Sequence, residues 1–163
     1  MEKSFSGNYL MCQYFALSPP QGKDSHVLTH PEVNEASIER LVRAFYERAR
    51  EDAVIGAIFN TSVADWEHHI ANITDFWSSI VLRTGRYGGR PMRPHLMLPL
   101  RGEHFDRWLL LFGSTARELF SAEVAAVFID RARRIADSFE MGIASTRGEI
   151  TAPRHSGTGT ERK

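Results

Sequence analysis

Between residues 66 and 80, Trp66, His69, Ile70, Ile73, Phe76, Trp77 and Ile80 recur at intervals of one, three and four. On a helix with 3.6 residues per turn these positions share one face. Such a wide apolar stripe must be buried against other elements. The chain supplies suitable partners. From about Asn34 to Arg50, Ile38, Leu41, Val42, Phe45 and Ala49 form one face, with Tyr46 at its border. A third helix carries Phe105, Trp108, Leu109, Phe112, Ala116 and Leu119. A fourth, starting after Ser121, carries Val124, Phe128, Ala132, Ile135, Ala136 and Phe139. Strand alternation is absent, and the expected fold class is all-α.

The helix boundaries have local signals. Asn34 is an N-cap. "SVAD" places Ser62 at a cap and Asp65 three residues on, which predicts a second helix beginning at Ser62. Gly85 is expected to end it. Gly85, Gly88, Gly89, Pro91, Pro94 and Pro99 then rule out a long regular helix over 85–99.

The domain core is expected over 34–147, flanked by an extension over 1–33 and a tail over 148–163. "SPPQGKDS" (18–25) has linker composition. Tyr9, Leu10, Met11, Tyr14, Phe15 and Leu17 leave open whether the start of the chain packs on the core or forms a separate arm. The polar tail predicts disorder.

Composition removes several function classes. Twenty basic and twenty acidic residues cancel, which argues against a broad nucleic-acid surface. Cys12 is the single cysteine, so no internal disulfide and no Cys-based zinc or iron–sulfur site is expected. No apolar run approaches the ~20 residues of a membrane span. The N-terminus lacks a secretory signal pattern. The expected location is cytoplasmic, without a membrane or nucleic-acid partner.

Two histidines stand out. Helical phase turns His69 onto the apolar stripe and His68, in line with Ala64, Asn72 and Asp75, toward water. His95 lies in "RPHLMLP", where Pro94 fits the first turn of a short helix and Pro99 stops it. Taken singly, His69 reads as a satisfied core histidine and His95 as a loop histidine. Taken together, they can face one another across a slot walled by Phe45, Phe59, Phe76, Trp77, Ile80, Leu98 and Trp108. A flat iron macrocycle needs one fixed axial ligand, apolar walls and a few donors on the open face. His95 is the candidate iron ligand, and Tyr46 and Trp108 supply an O–H and an N–H. Arg86, Arg90 and Arg93 at the rim are candidate partners for propionates, or simply a solvated basic loop.

At this point the chain resembles the group III truncated haemoglobins. The resemblance is carried by "AFYERAR" (44–50), "IGAIFN" (55–60), "DWEHHIANITDFW" (65–77), "YGGRPMRPHLMLP" (87–99) and "HFDRWLLLF" (104–112), in family order over most of 34–140. It implies an abbreviated globin, with helices stacked two over two around haem b (iron protoporphyrin IX). It matches His95 to the proximal ligand, Tyr46, His69 and Trp108 to the distal side, and Phe59 and Phe76 to haem-packing positions. The remaining cofactor-binding candidates are Phe45, Trp77, Ile80, Arg90, Arg93 and Leu98.

The expected function is binding of oxygen, nitric oxide or carbon monoxide at ferrous iron, with oxygen transport or detoxification of nitric oxide or peroxide as uses. Turnover would need a separate electron-donating reductase, because the chain has no G-x-G-x-x-G fingerprint. Two other readings compete. One is a cofactor-free helical interaction domain; the other is a haem-based sensor signalling through residues 1–33.

Overall fold

Asn34 opens the first helix, α1 (Glu35–Glu51), where the sequence places it. Its side-chain oxygen accepts from the Ser37 amide at 3.0 Å, and the Ser37 hydroxyl accepts from the Asn34 amide at 2.9 Å. This reciprocal pair satisfies backbone donors at the exposed helix start. The computed structural model describes residues 30–149. After α1 come α2 (Gly56–Ser62), α3 (Trp66–Val81), α4 (Met92–His95), α5 (Gly102–Leu119) and α6 (Ala122–Thr146). Among the described residues there is no strand, and the fold is all-α.

Two boundaries differ from the sequence reading. The helix expected from Ser62 begins at Trp66, and Asp65 is its cap, accepting from the His68 amide at 3.0 Å. Ser62 instead ends a separate short helix, α2, which has too few turns to show a periodic stripe. Gly85 does not stop α3 either. The helix ends at Val81, and the chain enters the left-handed region at Arg83 (φ 57°) before Gly85 (φ 69°).

α1 packs on α2, α3 and α5, and α5 packs on α6. The long helices therefore form two pairs, α1 with α3 and α5 with α6, joined through α1 and α5. Ile38, Leu41, Val42, Phe112, Val124 and Phe128 are shut off from solvent at their centre. Phe112 is sandwiched there. Trp77 stacks on one side at 4.8 Å and 13°, and Trp108 on the other at 5.3 Å and 12°. Each such buried side chain contributes roughly 1.5–3 kcal/mol of hydrophobic stabilisation.

The turn between α1 and α2 is tied to α5 by Asp52. Its carboxylate, 4% exposed, accepts from the Arg107 guanidinium at 2.7 Å and from the amides of Val54 (2.9 Å) and Ile55 (3.1 Å). Gly56 then lets α2 press on the end of α1. A Cβ at that position would lie 2.7 Å from the Arg50 carbonyl oxygen.

Residues 82–91 are irregular yet anchored. The Tyr87 amide donates to the Ser79 hydroxyl at 2.9 Å, and the Tyr87 ring meets Phe76 edge-on at 5.2 Å. The extension's last residues join the core, with Val33 buried and Glu32 accepting from the Ser121 amide at 2.9 Å. The remaining expectations for the extension and the tail, Cys12 among them, lie outside the described residues. No helix among the described residues is long and apolar enough to cross a membrane.

Candidate functional site

The short helix α4 positions His95. Pro91 precedes it with φ −64°, and Pro94 sits within its single turn, so the backbone is preset by two fixed pyrrolidine rings. The His95 Nδ1–H donates to the Pro91 carbonyl at 2.6 Å. That bond fixes the tautomer and leaves the Nε2 lone pair as the ligating group. The ring also lies against Phe139, with centroids 4.5 Å apart and planes at 50°. Burial lowers the His95 pKa, partly offset by the Pro91 bond. The side chain is thus held neutral, the form that binds metals.

α3 presents His69 inward and His68 outward, as helical phase requires. His68 is exposed, with its Nε2 2.9 Å from the Asn72 amide nitrogen. His69 Nε2 is buried and has no hydrogen-bond partner among the described residues. Burial lowers the His69 pKa, with His95 the next cause and His68 after it. The two inward histidines come from separate elements, α3 and α4. A buried polar atom without a partner costs about 1–3 kcal/mol; Thr74 Oγ1, also on α3, is the other such atom among the described residues.

Around His69 lies an aromatic cage. Tyr46 from α1 is buried, with its ring 4.9 Å from His69, 5.4 Å from Phe59 and 5.6 Å from Trp66. Burial raises the Tyr46 pKa well above the usual phenol range, so the group stays a neutral O–H donor. Phe45 contacts Tyr46 at 5.0 Å and Trp108 at 5.9 Å. Tyr46 and His69 therefore meet directly, and Trp108 joins them through Phe45.

The other expected wall residues divide. Phe76, on the same face of α3 as His69, packs on Tyr87 in the loop leading to His95. Ile80 and Leu98 are half-buried, and the Leu98 carbonyl accepts from Arg147 at 3.3 Å. Trp77 is turned into the core, between Phe112 and Phe128. Arg90 and Arg93 are exposed and form no ion pair among the described residues. Arg86 is bridged to Asp75 (3.0 Å) and Glu35 (3.5 Å), which occupies its guanidinium and anchors the loop.

Two features are not singled out by the sequence as parts of the site. Trp66 belongs to the aromatic cage around His69, with Arg50 lying over its ring at 4.4 Å; its place three residues before His69 is the available signal. Phe139 acts on His95 from a position without a local signature.

These residues fit a flat iron macrocycle. There is one fixed neutral imidazole on α4, a second imidazole on α3 with an unsatisfied nitrogen, a cluster of aromatic side chains, and two exposed arginines beside His95 in sequence. Among the described residues no group of three or more His, Cys, Asp or Glu side chains converges on a metal position. Iron here would be held by a macrocycle and one histidine rather than by a protein cage.

Comparison with known proteins gives three concordant findings. The sequence model of the family described as "Bacterial-like globin" matches residues 33–141. A group 3 truncated haemoglobin from Campylobacter jejuni is 38% identical over 113 residues, covering 66% of this chain and 89% of that protein. The crystal structure of a group III truncated haemoglobin from Campylobacter jejuni superposes with a TM-score of 0.66 at 34% identity, covering 70% of this chain and 94% of the other.

Proposed function

The chain belongs to the bacterial-like globins and is a group III truncated haemoglobin, a haem-binding globin, and on that premise we propose that it binds haem b through His95 and holds oxygen or another diatomic ligand beside Tyr46, His69 and Trp108. When bound, haem would supply an iron able to take up the His95 imidazole and a small diatomic ligand. His95 contributes its Nε2, kept available by the Nδ1 bond to Pro91. Phe45, Phe59, Phe76, Trp77, Ile80 and Leu98 serve as the apolar surroundings, facing the macrocycle or backing those that do, and exclude water. Arg90 and Arg93 are the propionate partners.

The distal residues provide polarity where the walls are apolar. Tyr46 donates an O–H that burial keeps protonated. Trp108 donates an indole N–H. His69 Nε2, buried and unpartnered, bonds the ligand or gates its passage. A donor to a ligand that carries partial negative charge is worth roughly 1.5–3 kcal/mol. Each donor would then slow ligand loss by about ten- to a hundredfold. Sustained turnover of nitric oxide or peroxide would draw electrons from a separate reductase.

The observation that supports this reading most directly is the pairing of an orphaned distal nitrogen with a proximal ring whose other nitrogen is already committed. The deciding experiment is oxygen and carbon monoxide binding by the purified, reduced protein. The expected result is a ferrous haem spectrum that responds reversibly to both gases. A protein that stays colourless when supplied with haemin overturns the reading and favours a cofactor-free helical domain.

A further inference from the structure

α4 is a single turn of four residues, none of them fully buried, far too short to hold its own place in water. The Pro91 bond fixes the ring relative to α4, so the placement of α4 as a body must be set from outside the helix. α4 packs on α6. His95 lies against Phe139 there, at 4.5 Å between ring centroids. Met92 lies over Gly142 so closely that a Cβ on Gly142 would sit 2.6 Å from Met92 Cε and 3.1 Å from Sδ. Met92 and His95 are three residues apart on α4, and Phe139 and Gly142 three apart on α6, so each pair shares one helix face. The helices are thus joined by two rungs, Met92 on Gly142 and His95 on Phe139.

The geometry points to Gly142 and Met92 as positioning residues that set the height and tilt of α4 above α6, and through it the direction in which His95 offers Nε2 to iron. This rests on His95 being the iron ligand. Gly142 lies within a helix, where glycine is a poor choice on propensity. It has no positive φ to justify it. What it provides is room for the thioether, an adaptable group that fills such a gap closely.

The test uses the full chain loaded with haem, in four forms: parent, Gly142→Ala, Met92→Ala and the double variant. The readouts are the ferrous iron–histidine stretching band in resonance Raman spectra and the rate of haem transfer to excess apomyoglobin. Gly142→Ala should move the band and speed transfer by about tenfold, a change equivalent to ~1.4 kcal/mol. The haem-free variant should lose little heat stability, because the new Cβ displaces only the flexible end of the Met92 side chain and alanine is the better helix former. Met92→Ala, which removes the rung from the other side, should move the band as well. Adding Gly142→Ala to Met92→Ala should change neither readout further, since nothing remains for the new Cβ to meet.

An unmoved band in either single variant overturns the proposal, as do effects that add in the double variant. A parent band that survives His95→Ala overturns the ligand assignment and the proposal with it. A band that requires His95 but ignores Gly142 and Met92 overturns the proposal alone.

Discussion

The Pro91 carbonyl and the His95 ring are locked together, with Nδ1 2.6 Å from the oxygen four residues back in the chain. The bond acts within one turn, so the imidazole and the backbone that aims it move as one body. Replacing the ring should therefore remove the proximal ligand without disturbing the core helices. His95→Gly is expected to lose the five-coordinate ferrous spectrum while keeping its helical circular dichroism. Added imidazole should restore the spectrum, and a variant that keeps it unaided would remove His95 from the proximal role.

Tyr46 and Trp108 come from different helices, α1 and α5, so contributions to a bound ligand should separate. Tyr46→Phe keeps the ring and removes only the O–H, whereas Trp108→Phe removes the N–H together with the five-membered ring that carries it. Each is expected to retain haem and to raise the oxygen dissociation rate by about ten- to a hundredfold. Stopped-flow displacement of oxygen by carbon monoxide measures this. A residue whose replacement leaves the rate unchanged is not a donor to the ligand.

His69 carries an internal conflict between stability and ligand binding. Its buried Nε2 has no partner among the described residues, and a group of that kind costs about 1–3 kcal/mol. His69→Leu should make the haem-free protein equally stable or more stable in thermal unfolding. The same variant should alter oxygen association or dissociation in the loaded protein. Loss of stability with unaltered ligand kinetics would place His69 among the structural residues.

Asp52 gives the clearest pH dependence. The Arg107 guanidinium and the Val54 and Ile55 amides hold its carboxyl below the usual carboxylate range, against an opposing push from burial. A depressed carboxylate contributes stability that is complete above the unfolded pKa of about 4 and fades as pH falls through the lower folded value. Asp52→Ala should lower stability at neutral pH by roughly 1–3 kcal/mol. Urea titrations of parent and variant should converge at the acid end of the range. A constant difference from pH 7 to pH 2 would show that the carboxylate's charge is not the stabilising element.

The parts of the fold legible in the sequence are those set by short-range chemistry. The stripes of α1, α3, α5 and α6 follow from spacing alone, and Asn34 was readable because its capping partner, Ser37, is three residues away. The inward turn of His69 and outward turn of His68 were readable for the same reason. "SVAD" misled because Ser62 and Asp65 stand at capping-box spacing, whereas Asp65 alone does the capping and Ser62 ends α2. α2 itself escaped because its seven residues are placed by Gly56 against the backbone of α1, a tertiary constraint without a periodic trace. Long-range pairing was equally hidden. Nothing near Arg86 announces Glu35, and nothing near His95 announces Phe139.

The chain's three tryptophans, Trp66, Trp77 and Trp108, all lie in or directly behind the distal cage: one against Tyr46, the other two on opposite faces of Phe112. Indole emission from the whole molecule therefore originates from one connected aromatic cluster. A strongly absorbing macrocycle bound beside that cluster would darken all three at once. Fluorescence brightening then serves as a built-in gauge of haem loss, readable without attaching any dye.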